Sequence, residues 1–151
     1  MSDRMGQNRG ELAKAQLILE EAEAKLERLR ALREERRVER QGLGAIIQDL
    51  AASGDMDRLV TLQSRAVALE KAINELTAAE AETAQRVESA RRYLYTLYLR
   101  LEKLREEFSG LMRKLAAVGQ GESVPADVQT NLGRVKIQLK AITGENSTGR
   151  L

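Results

Sequence analysis

The sequence predicts an all-α protein, an elongated antiparallel coiled-coil hairpin of two long helices in a single domain over residues 10–143. A short third helix is expected to fold back on the far end of helix two. Leu, Ala, Glu, Arg and Lys supply 85 of the 151 residues, a composition typical of long helices and coiled coils. Apolar residues recur at the alternating three- and four-residue spacing of a heptad repeat. Clusters of turn-forming residues near 53–55 and 119–125 divide that pattern into three helices.

A first long helix is predicted over residues 10–52. Residues 1–9 and 144–151 are polar and lack an apolar repeat, so we expect a flexible arm and a polar tail there. Between them, apolar residues mark the a and d positions of a heptad repeat, here called the seam, which faces a partner helix. Three arginines interrupt the apolar seam of the first helix at its middle. The seam positions are Leu12, Ala15, Leu19, Ala22, Leu26, Leu29, Arg33, Arg36, Arg40, Leu43, Ile47 and Leu50.

A stronger heptad repeat predicts a second helix over residues 55–118. Nine heptads follow one another, and 16 of their 18 seam positions are apolar. Some 60 residues at a rise of 1.5 Å each make a helix of roughly 90 Å. Ser53 or Asp55 is the expected N-cap. The seam positions are Leu59, Leu62, Ala66, Leu69, Ile73, Leu76, Glu80, Thr83, Val87, Ala90, Leu94, Leu97, Leu101, Leu104, Phe108, Leu111, Leu115 and Val118.

A short third helix is predicted over residues 124–143. Gly119 and Gly121 are expected to end the second helix. Ser123 is the expected cap of the third helix, and Pro125 is expected in its first turn. Its seam positions are Val128, Leu132, Val135, Leu139 and Ile142.

The lengths of the helices predict how they pair. A very short turn makes the first two helices antiparallel neighbours. Matching their seams outward from the turn sets Leu50 against Leu59 and ends with Leu12 against Leu97. The seam of the second helix continues beyond that point, and the third helix is expected to cover residues 101–115. The alternative is a swap of the third helix onto a neighbouring chain through the glycine-bearing hinge.

The composition excludes several kinds of chemical site. The chain has no Cys and no His, so it lacks the residues for a disulfide framework, a thiolate metal centre or histidine-based catalysis. It contains no GxxxxGK[ST] loop and no GxGxxG motif. Adjacent carboxylates such as Glu20 and Glu21 point to different faces of a helix. We therefore expect no enzymatic activity, no cofactor and no metal ion.

A run rich in arginine lies in the middle of the first helix. One interpretation is a strip that binds the phosphates of a nucleic acid. The favoured interpretation is a solvated coiled-coil surface, because glutamates alternate with the arginines along the run. Glu80 of the second helix is expected within reach of Arg33. Nucleic-acid binding is therefore the less favoured alternative for this basic strip, which consists of Arg28, Arg33, Arg36, Arg37 and Arg40.

All the aromatic residues lie in one stretch of the second helix. Between residues 93 and 101 apolar side chains point to several faces of that helix, and the first helix has a similar excess beside Leu19. A helix that is apolar all round is normally buried on more than one side, so we predict self-association or docking of a protein partner. Stacking of nucleic-acid bases on the tyrosines is less favoured. The predicted interface, here called the tyrosine patch, consists of Leu17, Ile18, Tyr93, Tyr95, Tyr98 and Leu99.

Over about residues 12–108 the chain resembles the export-ATPase stalk family of flagellar and type III secretion systems, the FliJ/YscO type. The resemblance rests on the hairpin turn near residue 54 and on the segments LEEAEAKLERLRALREER and LRLEKLREEF. It implies a cytoplasmic coiled-coil hairpin that docks into an ATPase ring and serves protein export. The Gly/Ser/Pro break and the third helix after Val118 depart from the family's pattern of one continuous helix.

These features favour a non-enzymatic structural or adaptor subunit of a larger protein assembly, such as a phage-like or contractile particle, or a scaffold. An export-ATPase stalk or chaperone-like protein is the alternative that the resemblance implies, and a nucleic-acid-associated coiled coil is the second alternative. The N-terminus lacks the apolar region of a signal peptide, and no apolar run is long enough for a membrane span. We therefore expect a cytoplasmic location or one within an intracellularly assembled particle.

Overall fold

The chain folds as an all-α helical hairpin with a third helix. The computed structural model describes residues 10–119, 121 and 123–144. Within these residues it has three helices and no strand: α1 (Glu11–Ser53), α2 (Met56–Ala116) and α3 (Ala126–Thr143). The predicted fold class is therefore confirmed. The predicted arm at residues 1–9 lies outside the described residues, as does the tail after Gly144.

A tight turn joins α1 to α2. Gly54 adopts a φ of 81°, a left-handed conformation that glycine reaches without steric cost. Its backbone N–H donates to the carbonyl of Leu50 at 3.1 Å, which satisfies one of the free carbonyls at the end of α1. Asp55 caps α2, because its Oδ1 accepts the backbone N–H of Arg58 at 3.4 Å. Ser53, the other predicted cap, instead donates its hydroxyl to the Leu50 carbonyl.

The described chain forms two compact units. The turn unit consists of Glu20–Glu88 and contains the hairpin turn, whereas the terminal unit contains the described parts of 1–19 and 89–151. In the turn unit α1 and α2 run antiparallel. Every buried residue there lies at a predicted seam position, which shows that the heptad repeat directs this packing. These buried residues are Leu26, Ala66, Leu69, Thr83 and Val87.

The terminal unit has the larger hydrophobic core. In this unit α3 packs on α2 of the same chain, over the part of the α2 seam that the sequence assigned to it. Leu12 of α1 also packs against this core. The buried members are again seam residues, and Val135 and Leu139 are fully inaccessible to solvent. The core consists of Leu101, Leu104, Leu111, Val128, Val135, Leu139 and Ile142.

The start of α3 differs from the prediction. Ser123 does not cap the helix. The N-cap position is occupied by Pro125, which makes no side-chain capping hydrogen bond and whose carbonyl accepts the N–H groups of Val128 and Gln129. Because a residue before proline is disfavoured in helical conformation, Val124 cannot extend α3 toward Ser123. Val124 instead packs against the core.

The end of α2 also differs from the prediction. The helix ends at Ala116 rather than near residue 118. Its last turn is tightened, because the N–H of Val118 donates to the carbonyl of Leu115 at 3.2 Å. Of the two glycines expected to end the helix, only Gly121 has a positive φ, at 87°. Gly119 is therefore not a left-handed helix cap.

Direct backbone contact joins the start of α1 to the end of α3. Gly10 is buried, and a Cβ atom built on it would lie 2.4 Å from the backbone N of Gly144 and from the carbonyl O of Ile142. Gly144 itself ends α3 in a left-handed conformation and donates to the carbonyl of Lys140 at 2.7 Å. The two helix ends therefore approach too closely for any residue larger than glycine at position 10.

Candidate interaction surface

The tyrosine patch is exposed. All six of its side chains are more than 40% accessible, from Leu17 at 42% to Tyr95 at 64%. The seam residue Leu97, in the same stretch of α2, is by contrast 1% accessible. The packing of α1 and α3 on α2 therefore buries the seam residues and leaves the other apolar side chains of this stretch in contact with solvent.

A hydrogen bond joins the two halves of the patch. Gln16 of α1 donates its Nε2 N–H to the hydroxyl oxygen of Tyr98 on α2 at 2.8 Å. Leu17 and Ile18 directly follow Gln16, so they lie in the same turn of α1 as this contact. The terminal unit thus brings the α1 and α2 parts of the patch together, as the sequence predicts for a shared surface.

Three residues of the patch share one face of α2. Tyr95, Tyr98 and Leu99 are spaced i, i+3 and i+4, which places them on one face of the helix. That face is separate from the seam. These three residues are exposed, whereas the nearby seam residues Leu97 and Leu101 are buried. An apolar stripe of this kind is the usual mark of a surface that packs against another helix.

The charges within the α2 part of the patch have one sign. From Ser89 to Leu101 the charged residues are Arg91, Arg92 and Arg100, and no acidic residue lies among them. All three arginines are exposed. Tyrosine and arginine together are enriched at protein interfaces, where each combines apolar area with hydrogen-bonding groups.

The basic strip is compensated by carboxylates of its own chain. Arg33 donates from Nε to Glu80 Oε2 at 2.6 Å, and Arg30 contacts the other oxygen at 3.3 Å. The predicted pairing of Arg33 with Glu80 is confirmed. Arg40 forms a second bridge between the helices, to Glu70 at 2.9 Å. These arginines therefore act within the hairpin.

Two further arginines of the strip pair along α1. Arg36 lies 3.7 Å from Glu39, and Arg37 donates two hydrogen bonds to Glu34, the shorter at 2.6 Å. The hydrogen bond from Arg37 holds the pKa of the Glu34 carboxyl below its usual range, and the same bond raises the pKa of Arg37. Within the described residues Arg28 is the one member of the strip without an ion pair, which leaves little free positive charge for a phosphate backbone.

A shallow groove lies beside the Glu80 ion pairs. It measures about 320 Å³ and is lined by Arg30, Arg33, Thr77, Glu80, Ala81 and Ala84. Glu80 accepts hydrogen bonds from both arginines, so each guanidinium already contacts a carboxylate, although two arginines and one glutamate leave the lining with one net positive charge. Its polar groups instead fix the register of α1 against α2 in the turn unit.

The described residues contain no group of three or more acidic side chains placed to hold a metal ion. Glu107, which directly follows Glu106 in the sequence, forms an ion pair with Arg134 of α3.

Over the part of the chain that the structure describes, no helix has the length and apolar character that crossing a bilayer requires.

Sequence reasoning missed the contact between Gly10 and the end of α3. The signal was a glycine immediately before a helical pattern, which the sequence alone presents as a helix boundary. Reasoning from the heptad repeat also missed Ile137, which is 72% exposed on α3, although the seam residues Val135 and Leu139, two positions to either side, are buried. Comparison with protein-family models, curated proteins and solved structures finds no match for this chain.

Proposed function

We propose that this chain is a non-enzymatic structural or adaptor subunit of a larger protein assembly, and that it binds protein partners through the tyrosine patch. The observation that carries the proposal is the exposure of six large apolar or aromatic side chains in two neighbouring segments of the terminal unit, one on α1 and one on α2. Contiguous exposed apolar side chains usually mark an interaction site.

The ion pairs of the basic strip favour a protein partner over a nucleic acid. A phosphate-binding strip needs unpaired cations that can neutralise phosphates and so displace the counterions condensed on the nucleic acid. Four of the five arginines in the strip already contact carboxylates. The location proposed with this function, the cytoplasm or an intracellularly assembled particle, rests on the composition of the sequence.

A more specific alternative is the export-ATPase stalk function that the family resemblance implies. The antiparallel hairpin of α1 and α2 favours it. The third helix is the feature that departs from it, because α3 covers the α2 seam beyond the start of α1. In this alternative an export ATPase is among the partners that the chain captures.

Affinity capture of the tagged full-length chain from its native host, with mass spectrometry, tests the proposed function. The patch variant is Tyr95→Glu with Leu99→Glu. The matched control is Val60→Glu with Val67→Glu, which adds the same charge at positions 55% and 66% exposed on the same helix. We expect the patch variant to lose protein partners that the wild type and the control retain. Identical partner sets for all three proteins would contradict the proposal.

A further inference from the structure

A second heptad stripe runs along α2 outside the seam. Its residues follow a 3-4-3-4-3 spacing, and every one of them is exposed. The stripe contains the two tyrosines that lie on the second apolar face of the helix. Charged residues flank those tyrosines on both sides. In order, the stripe consists of Glu88, Arg91, Tyr95, Tyr98, Glu102 and Arg105.

The order of charges in this stripe is self-complementary in the antiparallel direction. When two copies of α2 are aligned antiparallel with Tyr95 opposite Tyr98, the same alignment sets Arg91 opposite Glu102. One turn further out it sets Glu88, which also interacts within its own chain, opposite Arg105. Both charge pairs are of opposite sign, and each occurs twice because the arrangement has two-fold symmetry. In a parallel alignment each residue would face its own copy, so the charges would repel.

Three charged side chains of the stripe are available for this pairing. Arg91, Glu102 and Arg105 form no ion pair with any other described residue. The arginines of the basic strip, in contrast, are mostly paired within the chain. Exposed charges that are unpaired in one copy and complementary between two copies are typical of an interface that selects its register electrostatically.

We infer that this second heptad stripe of α2 is a homodimer interface, in which two copies of this chain pack α2 against α2 antiparallel about a two-fold axis between Tyr95 and Tyr98. The inference rests on the proposed function and names the partner as a second copy. Aromatic side chains from both copies form its centre and ion pairs form its rim, the usual anatomy of a protein interface. The stripe is shorter than a standard interface of about 20–30 residues a side, so the dimer is expected to dissociate in the micromolar range.

Charge reversal with sedimentation equilibrium of the purified full-length chain tests the inference. Arg91→Glu alone and Glu102→Arg alone each place like charges opposite one another at two sites. Each should raise the dimer dissociation constant about tenfold or more. Combining both changes in one chain restores opposite charges and should restore the wild-type constant. Mixing the two single variants should likewise yield a heterodimer tighter than either homodimer.

Lys103→Glu is the matched control, because it reverses an exposed positive charge on the same helix outside the stripe. It should leave the dissociation constant within about threefold of wild type. A wild-type chain that stays monomeric at the highest concentrations overturns the inference, and so does a double variant as weak as the single ones. Neither result bears on the proposed function. The proposed function is contradicted only if the patch variant captures the same host partners as the wild type and the control.

Discussion

Replacing Gly10 by alanine should destabilise the terminal unit. The added Cβ would lie 2.4 Å from the backbone N of Gly144 and from the carbonyl O of Ile142, and 2.5 Å from the carbonyl carbon of Thr143. All three neighbours are backbone atoms, so no rotation of a side chain relieves the overlap. Either the start of α1 or the end of α3 must move.

The magnitude follows from two opposing effects. Overpacking of a close contact costs about 1–3 kcal/mol. Replacing glycine by alanine also reduces the entropy of the unfolded chain, which stabilises the folded state by about 0.4–1 kcal/mol. Gly10 does not have a positive φ, so alanine brings no further backbone strain. The net expectation is a loss of about 1–2 kcal/mol in the free energy of unfolding.

Urea unfolding followed by far-ultraviolet circular dichroism measures this loss, and hydrogen exchange of the α3 amides locates it. Gly110→Ala and Gly133→Ala are matched controls, because a Cβ at either helical position meets no atom within 4 Å. Each control should stabilise the chain by about 0.5–1 kcal/mol. A Gly10→Ala variant that is as stable as these controls, with unchanged exchange in α3, would refute the close contact of the two helix ends.

Three further predictions concern the core and the ion pairs. Glu80→Gln should lower the free energy of unfolding by about 1 kcal/mol, because the half-buried carboxylate holds two arginines and charged hydrogen bonds are the stronger ones. Leu139→Ala should cost about 2–5 kcal/mol, whereas Ile137→Ala, which removes an exposed side chain, should cost less than about 0.5 kcal/mol. Arg37→Gln should return the lowered pKa of Glu34 to its ordinary range in an NMR titration. Because that pKa is lowered in the folded state, Glu34 contributes to the free energy of unfolding above its pKa in the unfolded chain. This contribution is lost as the pH falls through its pKa in the folded chain.

Glu82→Gln is the control for the Glu80 variant. Glu82 pairs with Arg86 along α2, and both side chains are more than 60% exposed. An exposed pair of this kind contributes little to stability, so its loss should shift the urea midpoint much less. Equal effects of the two substitutions would show that the ion pairs between α1 and α2 do not hold the register of the turn unit.

The seam could be predicted from the sequence because burial in a coiled coil depends on a local period. Leu69 and Leu97 belong to a pattern of apolar residues that recurs every three or four positions. Residues in this pattern share one face of the helix, and that face is the buried one. The ion pair of Arg33 with Glu80 could be predicted for the same reason, once the short turn fixed the register. The exposed apolar side chains of α2 could also be predicted, because they lie outside the heptad positions of the seam.

The features that could not be predicted depend on contacts between segments distant in sequence. The restriction on Gly10 comes from the backbone of α3, more than 100 residues away, and no local pattern encodes that approach. The pairing of Arg40 with Glu70 likewise depends on side-chain reach across the helices rather than on heptad position. The start of α3 is the exception, because it is set locally. Ser123 is a favourable N-cap residue, but the conformational restriction before Pro125 is the stronger effect.

Photo-crosslinking in the native host tests the central claim most directly. A photoreactive phenylalanine analogue replaces Tyr95 in the full-length chain, and the control carries it at Val67, four heptads earlier on the same face of α2. The two positions are almost equally exposed, at 64% and 66%. The proposed docking surface predicts protein adducts, to a second copy or to another subunit, from position 95 and not from position 67. Equal yields at both positions, or adducts to nucleic acid alone, would contradict it.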